Sequence, residues 1–477
     1  MKFVLKKSLW ISFTLAIILL LPVKLASAQD EVPGGPVYIV QEGDTLWGIA
    51  QRFGVSIDDL SRENGITDPS QLAAGAQLVI PGLEGVQGIL ATESVPFGEN
   101  LRSLSRLYRI PVETLIRLNH LVSPAELYSG ANLIVPQSDS QAQAGRRITL
   151  SAGQSLLELA VIEGTNPWTV TKSNGLSGTS AVIPGDVLRL PQDSAPKDGA
   201  PDGPGALPAA ITAVELTPNP LSQGETGVIR LETNSQLSAS GSLSGRELHF
   251  FADENGDYVA LQGVHALAEP GLYPLTLQGT LSDGTRFGFS QLVPVLSGDF
   301  KYFKLVVPAE TIDPANTKPE DELWNSLPVT ASPEKMWDGE FQSPVSQPSP
   351  CGFTSFFGER RSYNDSPYNY FHTGLDFCYN YNNAVNEIYA PAPGIVVFAG
   401  PLTVRGNATM IDHGWGVFTG YMHQAEILVE VGDKVVTGQV IGIVGETGRA
   451  SGPHLHLEVW VGGVQVDPMD WLERAFP

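Results

Sequence analysis

Pro453-His454-Leu455-His456 opens a β-prone run that continues to Val461, and the reading of this stretch decides the C-terminal fold. A strand sets residues i and i+2 on one face, about 6.5–7 Å apart. His454 and His456 should therefore enter the same cleft, one to bind a metal and the other to contact the water it holds. The segments around them also read as strands between glycine-rich turns: Ile395–Phe398, Thr409–Asp412, Val417–Met422 and Val435–Val444. Two more motifs carry chemistry-bearing side chains, His372-Thr373-Gly374-Leu375-Asp376 and Tyr421-Met422-His423. A fully extended path would hold His372 and Asp376 about 13 Å apart, too far for one ion. Gly374 supplies the freedom to bend there. Two imidazoles and a carboxylate form an open three-ligand set, which suits catalytic zinc. His413 lies apart from these motifs and reads as a packing or turn residue.

At the other end of the chain the sequence repeats itself. Gly43-Asp44-Thr45-Leu46 recurs as Gly98-Glu99-Asn100-Leu101 and as Gly153-Gln154-Ser155-Leu156. Asn64, Asn119 and Asn174 keep step with it, as do Gly75, Gly130, Gly185 and Pro81, Pro136, Pro191. In the first copy Tyr38-Ile39-Val40 is a short strand, and Asp44 or Thr45 caps a helix burying Leu46, Ile49, Ala50 and Phe53. Ser56, with Asp59 three residues on, caps a second helix that buries Ile57 and Leu60. A strand from Gln77 to Ile80 closes the unit. The predicted order is strand, helix, helix, strand, over 37–82, 92–137 and 147–192.

Residues 193–208, rich in Pro, Gly and Ala, read as a linker. From 209 to 297, short β-prone runs recur between turn signals: Ile211–Leu216, Gly227–Glu232, Glu247–Phe251, Tyr258–Leu261, Leu272–Leu277 and Thr285–Phe289. Their spacing suggests an immunoglobulin-like antiparallel β-sandwich. The acidic stretch from Asp253 to Asp257 reads as a hairpin turn. Residues 298–348, interrupted by prolines, look like a connector with a short helix near Glu320–Ser326, and 349–477 forms the C-terminal domain.

The repeats resemble LysM domains, which bind the N-acetylglucosamine-containing glycan of peptidoglycan or chitin. The first copy carries the Gly-Asp-Thr-Leu-Trp start. The others diverge, with Arg102 in place of Trp47 and Glu163 in place of Phe53. The C-terminal motifs resemble the lysostaphin/LytM-type zinc endopeptidases from about Pro350 to Asp470. The likeness takes in Phe357-Gly358-Glu359-Arg360-Arg361, Ala390-Pro391-Ala392-Pro393-Gly394, Ile411-Asp412-His413-Gly414-Trp415-Gly416 and Gly445-Glu446-Thr447-Gly448. The resemblance implies an antiparallel β-sheet with a narrow groove. It makes His372, Asp376 and His456 the Zn2+ ligands, with His423 and His454 as the unligated catalytic pair.

The 477-residue chain carries a formal charge of −23 and no basic cluster outside its first residues, which argues against a nucleic-acid partner. Lys2, Lys6 and Lys7 precede an apolar run to Val23 and the small-residue site Ala26-Ser27-Ala28, the pattern of a signal peptide over 1–28. No later segment is long and apolar enough to span a bilayer. An exported chain with two cysteines, Cys351 and Cys378, is compatible with a disulfide. The expected fold class is multidomain and mainly β. The expected function is a secreted or cell-envelope zinc metalloendopeptidase that cuts peptide cross-links of peptidoglycan, tethered through glycan by LysM units. The alternative is a catalytically silent peptidoglycan-binding protein that activates another hydrolase. Such relatives typically lose zinc ligands or catalytic histidines, whereas all five positions are filled here.

Overall fold

The computed structural model describes residues 35–68, 70, 72–83, 86–137, 146–190, 203–346, 352–382 and 386–477. The signal-peptide expectation, most of the linker and Cys351 lie outside the described residues. Among these residues no helix is long and apolar enough to cross a membrane.

Each repeat folds in the expected order. In the first, strand Val37–Ile39 pairs antiparallel with Gln77–Val79, and helices Leu46–Phe53 and Ile57–Glu63 lie between them. Thr45 caps the first helix by accepting from the Gly48 amide, and Ser56 caps the second by accepting from the Asp59 amide. The repeated asparagines have a mechanical explanation. Asn64 donates to Leu60 O and Val79 O and accepts from Val79 N, at 2.7–2.9 Å, tying the second helix to the closing strand. Asn119 does the same with Leu115 and Ile134, and Asn174 with Val170 and Arg189. The first two repeats share one sheet, because Val37–Ile39 also pairs in parallel with Ile89–Ser94.

The middle segment forms a five-stranded and a four-stranded sheet around one apolar core that includes Leu216, Ile229, Leu231, Leu275 and Val293. Five of the six β-prone runs each contribute to a single strand, whereas Glu247–Phe251 is split between Arg246–His249 of the five-stranded sheet and Phe251–Ala252 of the four-stranded one. A further strand, Leu237–Leu243, was hidden by its Ser/Gly-rich composition, Leu-Ser-Ala-Ser-Gly-Ser-Leu. The acidic stretch is indeed a hairpin turn. Asp253 accepts from the amides of Asn255 and Asp257 and pairs with Arg230.

Among the described residues of the C-terminal region, Arg360–Tyr363 and Tyr370–Phe371 join Tyr302–Leu305 in a separate three-stranded sheet, and the other strands build a ten-stranded one. Its centre runs Leu375–Cys378, His454–Val461, Val417–Ile427, Gly406–Gly414, Gly394–Leu402, all antiparallel. The run read as one strand from Val435 to Val444 is two, Lys434–Val435 and Val440–Val444, separated by a turn at Gly438. The proline-interrupted connector is more ordered than its composition suggests. It holds a 13-residue helix, Pro314–Ser326, capped by Asp313. It also delivers Trp324, Trp337 and Phe341 into the C-terminal core, against Met410, Phe418, Trp415, Trp460 and Trp471.

Candidate metal centre

Register brings the predicted site residues together. Asp376 lies directly across from His456 between the Leu375–Cys378 and His454–Val461 strands, and Met422 flanks His456 on its other side. His372 reaches them because the chain turns back between Tyr370–Phe371 and Leu375. Gly374 is essential to that turn through close approach, not through an unusual dihedral. A Cβ on it would strike the Leu457 carbonyl oxygen and lie 2.7 Å from His456 Nε2.

Three potential donor atoms converge. His372 Nε2 lies 3.0 Å from Asp376 Oδ1 and 3.0 Å from His456 Nδ1, and the last two are 2.8 Å apart. All three residues are buried. His454 Nε2 stands 3.7 Å from the same Asp376 oxygen. The His423 ring is centred 4.8 Å from that of His454 and 6.1 Å from that of His456. All five residues singled out from the sequence therefore meet at one place, while His413 does not. Its ring is buried elsewhere, between Pro393 O and the Thr419 hydroxyl.

Backbone carbonyls fix how the rings present themselves. His372 Nδ1–H donates to Phe356 O, His423 Nδ1–H to Thr447 O and His454 Nδ1–H to Gly452 O, at 2.8–2.9 Å. With Nδ1 so engaged, Nε2 is the ring nitrogen that each of the three is left to present. His423 adopts the left-handed region, φ 61°, at an irregularity in its strand, and its amide donates to Arg405 O.

Two lone-pair nitrogens and a carboxylate oxygen about 3 Å apart require a cation or a shared proton between them. Without a metal the proton resides on His456. Burial opposes its charge, but the hydrogen bond to Asp376 and the nearby carboxylates of Asp376 and Glu458 outweigh that and raise it to about 9. Burial and the nearby cations Arg361 and His456 hold His372 down to about 4, against the pull of Asp376. Asp376 stays well below the usual carboxylate range: the two imidazoles overcome its burial. The triangle also fits zinc, since Zn–N bonds of about 2.0–2.1 Å imply tetrahedral edges of about 3.3 Å. His423 is lowered to about 3, first by burial and then by repulsion from His454 and His456, so it is neutral at physiological pH.

Residues 370–468 match the model of Peptidase family M23, and residues 38–81 and 95–136 match the LysM domain model. This chain carries an M23 peptidase domain behind LysM domains. The chain is 42% identical over 98 residues to Peptidoglycan DD-endopeptidase ShyA of Vibrio cholerae, and equally to the DD-carboxypeptidase/endopeptidase Mpg of Neisseria meningitidis. Each alignment covers 20% of this chain and 22% of the relative, so the chain spans only about a fifth of the length of the curated relatives it matches. A crystal structure of a peptidase M23 from Pseudomonas aeruginosa shares 26% identity, covering 54% of this chain and 96% of that one, with a TM-score of 0.41.

Around the M23 site the structure adds residues that the motif reading passed over. Glu458 continues the i, i+2 series of His454 and His456 on one strand face, and its Oε1 lies 3.6 Å from His456 Nε2. Thr373 Oγ1 is 3.4 Å from the same nitrogen. The two arginines before the first histidine separate in role. Arg360 donates to Ala266 O in the middle segment, whereas Arg361 lies 3.9 Å from Glu359 and contributes to the depression of His372. Gln424 is fully buried and donates to Thr409 Oγ1 and Tyr421 O, facing the sheet interior.

Proposed function

We propose that this chain is an exported zinc metalloendopeptidase that hydrolyses peptide cross-links of bacterial peptidoglycan and is held on the wall by its LysM units. One observation carries the reading: His372 Nε2, Asp376 Oδ1 and His456 Nδ1 converge within hydrogen-bond distance of one another, with His423 and His454 beside them. His372, Asp376 and His456 would hold the ion. His423 and His454 are left unligated.

Zinc there supplies Lewis acidity, polarising a carbonyl and lowering the pKa of water from 15.7 towards about 7. The chain's own part is proton handling and orientation. His423, neutral at physiological pH, would take a proton from the attacking water on its Nε2. His454 presents its own Nε2 to the same space, and either ring, once protonated, donates to the oxygen on which negative charge develops. The carbonyls of Thr447 and Gly452 keep both rings from turning away. The LysM units supply proximity to an insoluble substrate without adding a contact at the reacting bond. Location outside the cytoplasm follows from the same substrate and from the signal-peptide pattern at residues 1–28.

The test is release of peptides from purified cell walls by the purified chain, read by mass spectrometry. A chelator or His456→Ala should abolish release, and zinc should restore it in the chelated wild type only. Undiminished release in the chelated sample would overturn the reading.

A further inference from the structure

The M23 match begins at residue 370, yet the helix Pro314–Ser326 grips the site from outside that segment. Its Trp324 is fully buried and donates Nε1–H to Glu458 Oε2 at 2.9 Å. Glu458 is itself fully buried. Trp460 Nε1 donates to the same oxygen at 2.8 Å, and Gln465 Nε2 to Oε1 at 3.3 Å. A carboxylate shut away from water is costly unless every lone pair finds a donor and a cationic or polarised group stands close. Of the two cationic groups that act on it, His456 and Arg405, the closer is His456, whose Nε2 faces Glu458 Oε1 while its Nδ1 faces Asp376 and His372.

The same helix holds a second point on the rim. Glu320, also buried, accepts from the amides of Val404 and Arg405 and from the Arg405 guanidinium at 2.8–3.0 Å. The Arg405 carbonyl in turn accepts from the His423 amide at 2.9 Å. Two of the five site histidine and carboxylate positions are thus tied to one helix.

We infer that Glu458, held in place by Trp324, is the positioning residue for His456: it orients the ring so that Nδ1 is the atom offered to the metal, and the Pro314–Ser326 helix is an outer part of the metal centre. The inference deepens the zinc reading and rests on it. A carboxylate behind a ligating imidazole fixes its tautomer and raises its basicity, and loss of such a partner typically costs 10–100-fold in metal affinity.

The test is zinc affinity of the full chain, measured by competition with a chromophoric chelator, for Trp324→Phe and Glu458→Gln. The control is Trp337→Phe, which removes a comparable buried indole donor, to Phe476 O at 3.2 Å, that has no link to His456. Roughly tenfold or greater weakening is expected in the first two variants, against a change within about twofold in the control at a similar loss of melting temperature. Wild-type affinity in folded Trp324→Phe, or equal weakening in the control, would overturn the inference. Should Trp324→Phe fail to fold, Glu458→Gln decides, and unchanged affinity there would overturn it. His456→Ala separates the two levels: if it binds zinc as tightly as wild type, the metal site itself falls and this inference with it.

Discussion

His413 shows how one residue type takes opposite parts within one sheet. Its ring is fully buried, with Nδ1–H given to Pro393 O and Nε2 accepting from the Thr419 hydroxyl, and burial holds its pKa at about 4. The unfolded chain titrates this group near 6.5, so as pH falls from neutrality the unfolded state takes up the proton first. Stability is therefore present above about pH 6.5 and is lost progressively towards pH 4, by roughly 3 kcal/mol for this group alone. His372 and His423 act in the same direction in metal-free protein. Chemical denaturation of metal-free chain at pH 7.5 and pH 5 should show that fall, and His413→Gln should flatten it. An identical pH slope in the variant would mean that His413 is not held neutral by its surroundings.

Among the elements, the connector departs furthest from its sequence. The prolines suggested a connector with only a short helix near Glu320–Ser326, but that helix begins six residues earlier, with Pro314 in its first turn, where its missing N–H costs nothing. The apolar residues between the prolines then have a destination. Trp324 fills the space over Gly420, where a Cβ would approach its ring to 2.8 Å, and Trp337 packs on Trp415 and Trp471. Removing a large buried aromatic typically costs about 3–5 kcal/mol. A fragment starting at 349 lacks Trp324, Trp337 and Phe341 and is expected to be largely unfolded at 25 °C, whereas one starting at 313 should melt cooperatively. Equal melting temperatures for the two fragments would show that the connector is dispensable to the C-terminal core.

Across the whole molecule the units are fused rather than strung. Val259 and Leu261 of the middle sheet share a core with Trp415, Val461 and Trp471, and Trp471 Nε1 donates to Thr226 Oγ1 at 3.0 Å. The second repeat docks on the middle segment through Gly98 N to Gln291 Oε1 and Ser129 N to Leu292 O. It also holds the third repeat, since Arg102 and Arg106 both meet Asp186, at 2.7 and 2.5 Å. Arg102 stands where the first repeat has the exposed Trp47, so divergence at that position has become an interface. Asp186→Asn would leave Arg106 buried beside a neutral amide, a change that typically costs about 3–5 kcal/mol. The third repeat should then become susceptible to limited proteolysis while the M23 domain stays resistant. Unchanged cleavage kinetics would show that the ion pairs do not hold the repeats together.

The amino-acid order alone determined whatever is local or periodic. The i, i+2 pair His454 and His456, the caps at Thr45 and Ser56, the stripe Leu46–Ile49–Ala50–Phe53 and the threefold repeat all follow from dihedral periodicity and short-range hydrogen bonds. The tertiary structure decided what depends on contacts between residues far apart in sequence. The approach of His372 to Asp376 needs the Leu457 backbone pressed against Gly374. The orientation of His456 needs a carboxylate one of whose donors comes from Trp324, more than a hundred residues upstream. No window of sequence contains such pairs, because register across a sheet and burial against a distant helix are properties of the folded chain as a whole.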